Sequence, residues 1–419
     1  MKPLWLKSRH YRHFDVPVGE KFAAKAQLPA FVKQHSWSPL IHYTKSIKRY
    51  KPLQGKTVLK ERPIMYASHR DACILSKYAS DLNALLEHQY AKDGLEHSVI
   101  AYRALGKANY HFSAEARKFA TALSQCVVLC YDITGFFDNL NHSILKERLR
   151  EVLPGGNILD DWHRVFRHVT AFRKIDHTLL SAHPVINPRL KAKGKKPIAT
   201  MAKIKSLGLK IDKNPDTHGI PQGTPISSTL SNLYMLHVDR HMHEICSKSG
   251  ALYQRYSDDL IIICKPKFES QLTAALHTCV GEHKLQIHPD KCERVVFDAS
   301  NPKSFQYLGF DVSPEGALIR ASSLSRQWRK LRKSIARAKL KKSALGASSP
   351  LHTKKLRRRF SPVGLRNFSL YARHAATAFG SSSIRRQVIR LERKADQEIR
   401  ALKNLPSQRN DKSDSHIEF

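Results

Sequence analysis

The sequence predicts an α+β fold, and three features predict it. Apolar residues recur at helical spacing from about 70 to 125 and again beyond Phe310. A short, continuously apolar run ends on Asp132, and Ala251–Cys264 reads as strand, tight turn, strand.

Residues 1–57 are basic and dotted with aromatics, including Trp5, Tyr11, Trp37, Tyr43 and Tyr50, and read as an arm leading into a folded body. Ile74, Ala79, Leu82 and Leu86, then Ala114, Phe119 and Leu123, keep the helical period. Val127–Tyr131 is apolar throughout, as a buried strand is, and carries Asp132 at its C-terminal end. Residues 140–175 read as helical. His183–Asp216 is rich in Pro and in Lys (Lys191, Lys193, Lys195, Lys196, Lys203, Lys205) and reads as an exposed, irregular insertion. Leu230–Ile245 is helical in pattern, and the hairpin that follows turns at Ser257, Asp258 and Asp259. Beyond Phe310, two strongly basic helical patterns, Ser325–Leu345 and Ser382–Leu402, flank a middle helix near Leu370 and Tyr371. Residues 405–419 are polar and expected to fray.

Composition narrows the function classes. Lys plus Arg number 72 against 35 Asp plus Glu in 419 residues, a formal charge of +37. Such a surplus exceeds what solubility needs and points to an extended polyanion, nucleic acid first. The 41% hydrophobic content is that of a folded protein rather than a disordered polymer. No apolar run is long enough for a signal sequence or a membrane span, so the expected location is cytoplasmic and no membrane partner is expected. Seven scattered cysteines with no Cys-x-x-Cys pair read as reduced core thiols. His241 and His243 read as a solvated helix face.

The carboxylates carry the chemistry. An Asp-Asp pair in a turn is ordinary by itself, because Asp is a favoured turn residue. Here the turn borders the apolar strand Leu260–Cys264, so it sits at the edge of a buried sheet. If that strand neighbours Val127–Tyr131, Asp132 joins Asp258 and Asp259 in one all-oxygen cluster suited to hard divalent ions. Two such ions about 4 Å apart catalyse nucleotidyl transfer.

Three segments in order, Tyr131-Asp132-Ile133-Thr134-Gly135-Phe136-Phe137-Asp138, Gly219-Ile220-Pro221-Gln222-Gly223-Thr224-Pro225 and Arg255-Tyr256-Ser257-Asp258-Asp259, resemble palm motifs A, B and C of bacterial reverse transcriptases. Lys60-Glu61-Arg62-Pro63-Ile64 and Ala101-Tyr102-Arg103 resemble the fingers motifs, Lys291 the motif D lysine, and Gln306-Tyr307-Leu308-Gly309-Phe310 the primer grip. The resemblance covers about residues 58–312 and extends to the group II intron and retron superfamily. It implies a right-hand polymerase fold: fingers at 58–126, a palm of antiparallel sheet plus helices at 127–312 with its basic insertion at 183–216, and a basic helical thumb at 313–404.

By this resemblance Asp132, Asp258 and Asp259 hold two Mg²⁺ ions, or Mn²⁺, with the Ile133 carbonyl. Phe137 gates the nucleotide sugar in favour of dNTPs, and Gln222 and Gly223 lie against sugar and base. Lys60, Arg62 and also Arg70 are placed to grip the triphosphate. Lys291 is placed to protonate pyrophosphate, with a solvated lysine as its rival reading. Arg103, Gly309 and the helix cations Arg326, Lys330, Lys333 and Arg337 are expected on nucleic acid.

Ser227-Ser228 departs from the Ser-Pro that often continues motif B. Asn83-Ala84-Leu85-Leu86-Glu87-His88 has the wrong spacing for the retron signature, and no nuclease motif is visible. With about 100 residues after Phe310, the chain most resembles stand-alone, defence-associated reverse transcriptases, class 2 among them. That implies antiphage defence and a structured noncoding RNA copied into cDNA. Alternatives are a template-independent or protein-primed transferase on the same palm, a retron-type enzyme, and an RNA-binding protein with an inactive palm.

Overall fold

The computed structural model describes residues 2–51, 55–192, 194, 196–298, 300, 303–345 and 353–403. The chain divides into two units, one of Met1–Ala104, Tyr131–Ile262 and Phe268–Cys292, the other of Leu105–Cys130, Ile263–Lys267 and Glu293–Phe419.

The first unit begins with helices α1 (Glu20–Ala26) and α2 (Pro29–Gln34), then strand β1 (Leu40–Lys51), strand β2 (Lys56–Tyr66) and helix α3 (His69–Lys92). β1 and β2 pair antiparallel from Ile41↔Tyr66 to Lys51↔Lys56. The segment expected as an arm is therefore folded, and position 57 falls inside a hairpin. Its apolar residues explain this: Leu6, Phe14, Val32, Leu40 and Ile41 are buried, and so is His13. The spacing of basic residues hid this core. Ser68 caps α3 by accepting from the Asp71 amide, and Ile74, Leu75, Tyr78, Leu82 and Leu86 form its buried face.

Helix α4 (Asn109–Ala122) opens the second unit, and strand β3 (Cys126–Asp132) runs from it into the first. The first unit continues with α5 (His142–Val152), α6 (Asp160–Thr170), strand β4 (Arg173–Asp176), α7 (His177–Ala182), α8 (Asn187–Lys191), α9 (Met201–Ser206) and strand β5 (Asp212–Lys213). β4 pairs parallel to the start of β1, giving the sheet order β2-β1-β4-β5. The stretch 183–216 is likewise not irregular. Ile186, Ile198 and Ile204 are fully buried with Phe14, Ile41, Ile175 and Leu180, so the lysines stand outside a core that their density masked in the sequence. Lys193 and Lys195 lie outside the described residues.

Next come α10 (Ser227–Tyr234), α11 (Leu236–Lys248), strands β6 (Leu252–Tyr256) and β7 (Asp259–Cys264) and helix α12 (Glu269–Glu282). The second unit then holds β8 (Glu293–Phe297), β9 (Phe305–Tyr307), β10 (Phe310–Ser313), β11 (Gly316–Ile319) and helices α13 (Ala321–Leu345), α14 (Lys354–Phe360), α15 (Phe368–Phe379) and α16 (Ser382–Lys403). A four-stranded sheet has the order β6-β7-β3-β8, and a second sheet the order β11-β10-β9. Leu331, Ile335, Phe360, Leu391, Ala395 and Ile399 form the core of the helical part. The tail expected at 405–419 lies outside the described residues. No helix among the described residues is long and apolar enough to cross a membrane.

Candidate active site

The β6–β7 hairpin turns through Ser257 and Asp258, and Ser257 adopts the left-handed conformation at φ 63°. That conformation costs a non-glycine residue about 1–2 kcal/mol, so the surroundings must hold it. The Tyr102 hydroxyl donates to Ser257 Oγ at 3.0 Å, and Arg255 NH1 donates to the Ser257 carbonyl at 3.2 Å. Arg255 is itself fully buried and bidentate on the buried Asp239, at 2.7 Å and 2.6 Å, with a further bond to Asn232 at 3.2 Å. Burial alone would lower the guanidinium's pKa, but the Asp239 carboxylate outweighs it and holds the pKa above its ordinary value. Tyr253 donates to the same carboxylate at 2.9 Å, and Asn232 anchors the network to the Ala101 carbonyl at 2.9 Å. A rigid polar knot thus sits directly beneath the carboxylate turn.

Backbone hydrogen bonds bring the first aspartate to this turn. The Ile133 amide donates to the Asp258 carbonyl at 3.1 Å, and the Asp132 carbonyl accepts from the His288 amide at 2.7 Å. The Thr134 amide donates to the Gln286 carbonyl at 2.8 Å. Asp132 and Ile133 are therefore held between the hairpin turn and the segment leading to Lys291. Asp132 and Asp258 are half-buried and Asp259 is exposed. Lys291, with 44% of its side chain exposed, ion-pairs with Asp132.

The oxygens of Asp132, Asp258, Asp259 and Ile133 fit a hard divalent cation by type. Among the described residues no three His, Cys, Asp or Glu side chains are grouped to hold a metal by themselves. These facts agree, because Mg²⁺ is usually bound by one or two carboxylates together with substrate phosphates and water rather than by an all-protein cage.

The expected nucleotide-binding residues also converge. Gly135, at φ 53°, opens a short 3₁₀ turn, Phe136–Asp138, in which Phe136 is buried while Phe137 remains half-exposed. The two rings therefore differ in burial, and Phe137 is the more exposed of them. The Ile220 amide donates to the Phe137 carbonyl at 2.9 Å, and the Met65 amide to the Gln222 carbonyl at 2.8 Å. Gly223 must be glycine: at φ 111°, a Cβ would lie 2.7 Å from the Met65 carbonyl oxygen. Lys60, Arg62 and Ile64 alternate along β2 and so share one face, and Ile64 reaches the Gly223 loop. Arg70 is exposed, its guanidinium 5.9 Å from the Phe22 ring.

Arg103 is corrected. Its side chain is 3% exposed, bidentate on Glu87 at 2.8 Å and 2.6 Å, and bonded to the carbonyls of Glu96 and Val99, over the Tyr90 ring. With four of its five N–H donors engaged in this way and its side chain buried, it braces the segment beside Tyr102 rather than facing solvent. In the second unit, Leu308 (φ 47°) and Gly309 (φ 94°) form the two-residue turn between β9 and β10, as a type I′ turn requires. Arg326, Lys330, Lys333 and Arg337 are exposed at alternating four- and three-residue spacing, hence on one face of α13, opposite buried Leu331 and Ile335. Sequence reasoning missed Asp239. Its only signal was a carboxylate among Leu236, Val238, Met242 and Cys246, on what becomes the buried side of α11.

Curated proteins give no match. Telomerase of Candida albicans, solved with a TWJ fragment of telomeric RNA, aligns at TM-score 0.51 and 12% identity over 93% of this chain and 59% of its own. Apo telomerase of Candida tropicalis aligns at TM-score 0.47 and 13% identity, over 88% and 60%. The chain thus spans somewhat over half the length of these structures. The former likeness establishes the fold, an α+β reverse-transcriptase fold of mixed helices and sheets. The family described as reverse transcriptase (RNA-dependent DNA polymerase) matches residues 58–312. Its match takes in every element that meets at Asp132, Asp258 and Gly223, and the chain belongs to the reverse transcriptase family.

Proposed function

We propose that the protein is an RNA-directed DNA polymerase that copies a structured noncoding RNA into cDNA from dNTPs, by nucleotidyl transfer with two Mg²⁺ ions, in the cytoplasm. The observation that carries this reading is the Ile133–Asp258 backbone bond, which sets Asp132 beside the hairpin carboxylates within one family-matched segment. When bound, the metal ions neutralise phosphate charge and activate the attacking 3′ oxygen. Asp132 and Asp258, with the Ile133 carbonyl, hold them, and Asp259 supports the site from its exposed side. Phe137 presents its open face to the sugar, and the Gln222–Gly223 backbone lets the nucleotide approach closely. Lys60 and Arg62 lie on one strand face with Ile64, which supports a shared role in gripping the triphosphate.

Lys291 pairs with Asp132, and that pairing supports its assignment as the proton donor to the leaving pyrophosphate. An RNA partner is supported by the net charge of +37 and by the telomerase fold relative solved with RNA. The antiphage role rests on the resemblance of the motifs to defence-associated enzymes.

The test is extension of a primed RNA by purified protein with Mg²⁺ and dNTPs. Asp258→Ala with Asp259→Ala is expected to abolish cDNA synthesis and leave RNA affinity within about twofold. Both side chains project from the turn while the duplex-tracking charge lies elsewhere. Unchanged synthesis by the double variant overturns the mechanism.

A further inference from the structure

Helices α13 and α16 leave an open groove between them. Its floor is apolar, made of Trp328 with the buried Leu331 and Ile335. The cavity over it measures about 840 Å³, and a neighbouring one of about 690 Å³ shares Trp328, Arg332 and Arg390 with it. Arg332 from α13 and Arg390 and Arg393 from α16 rim the groove; all three are exposed and have no carboxylate partner among the described residues. The acid that lines it, Glu398, is occupied by Lys394 at 3.2 Å and Lys339 at 3.9 Å. The groove is therefore strongly cationic over an apolar base.

Its place on the helix separates it from the exposed stripe of Arg326, Lys330, Lys333 and Arg337. At about 100° per residue, Trp328, Leu331, Arg332 and Ile335 centre roughly half a turn from that stripe. A rigid duplex lying along the stripe cannot also enter a groove on the far side of the same helix. The apolar floor adds a chemical distinction. A duplex presents phosphates and hides its base faces, whereas an unpaired strand offers both, and its bases stack on an aromatic ring whatever the sequence. Arginine forks match the phosphates of such a strand.

We propose that the α13–α16 groove binds an unpaired stretch of nucleic acid, distinct from the duplex being extended. This rests on the polymerase reading for its supply of strand, the unpaired template RNA outside the hybrid, whose bases and phosphates match the apolar floor and the arginine rim.

The experiment is fluorescence anisotropy on full-length protein with labelled oligouridylate, oligothymidylate and a blunt RNA–DNA hybrid. Arg332→Glu with Arg390→Glu is expected to weaken oligonucleotide binding about tenfold or more and hybrid binding less than about threefold. Arg326→Glu with Lys330→Glu is expected to show the reverse. Both pairs are surface charges, and circular dichroism checks that the fold is kept. Binding of the ribo-strand at least as tight as of the deoxy-strand supports the assignment to template RNA, and tighter binding of the deoxy-strand overturns it. Undiminished oligonucleotide affinity in the groove variant, or equal losses on strand and hybrid, overturns the proposal. The Asp258→Ala, Asp259→Ala protein binds normally in this assay, so failure here is distinguishable from failure of the polymerase mechanism.

Discussion

Arg255 and Lys330 carry the same charge in opposite settings. Arg255, in the first unit, is fully buried, with Asp239 fixing its guanidinium and Asn232 and the Ser257 carbonyl receiving its other bonds. Lys330, in the second, is exposed on a stripe of four cations along α13. The buried charge has one permitted geometry and transmits it to the turn that bears Asp258. The exposed charges have no fixed geometry and suit a polyanion whose sequence does not matter. In this chain, therefore, burial separates the cations that shape the carboxylate turn from those that face solvent.

The largest expected effect breaks the buried side of that contrast. Asp239→Ala strands a guanidinium without its counter-charge, which costs roughly 3–5 kcal/mol. Urea unfolding should show the loss directly. Asp239→Asn keeps a hydrogen-bonding shape and should recover part of it, with cDNA synthesis falling through kcat while the dNTP KM moves little. Stability of the Asp239→Ala protein within about 1 kcal/mol of the parent would mean that Arg255 is not what holds the turn.

Which of these features the sequence displays depends on how local their cause is. The hairpin, the strand ending on Asp132 and the glycine of the 219–225 loop are local patterns, and the structure contains each of them. The meeting of Asp132 with Asp258 was legible only as a condition, that two strands be neighbours. Asp239 and Glu87 were illegible because each acquires its meaning from a partner 16 residues away. Residues 183–216 misled in the other direction. Charge density dominates composition there, while the three isoleucines that decide burial are too widely spaced to show a period.

A second prediction concerns histidines whose burial outweighs the pull of a nearby carboxylate, Asp71. His13 is fully buried and its pKa is pushed down to about 3, chiefly by burial. His168, stacked on Trp37 at 4.2 Å, is lowered to about 4 for the same reason, and its Nε2 has no hydrogen-bond partner among the described residues. Both are neutral in the folded protein, whereas unfolded histidines take up protons near pH 6.5. Folded stability from this source is complete above pH 6.5 and lost progressively as the pH falls towards 4 and then 3. At pH 5 the loss is about 2 kcal/mol for each histidine. Thermal unfolding across this range should show it, and His168→Gln should flatten the curve. A flat profile between pH 7 and 5 in the parent would remove burial of neutral histidine as a third way the chain treats its titratable groups.

The smallest effect is the most discriminating, because Arg103 and Lys330 were both expected on nucleic acid and the structure separates them. Arg103→Ala removes a bidentate pair with the half-exposed Glu87 and should cost about 1–2 kcal/mol of stability. It should leave the salt dependence of nucleic-acid binding unchanged. Lys330→Ala removes an exposed charge and should shift stability by no more than about 0.5 kcal/mol. It should also lower the slope of log affinity against log salt by about 1, equally for every sequence tested. The pair of measurements yields a stability change without a slope change at one residue and a slope change without a stability change at the other. If both variants moved the salt slope alike, Arg103 would leave Glu87 to meet phosphate in the complex, and burial in the free protein would no longer separate its scaffolding cations from its binding ones.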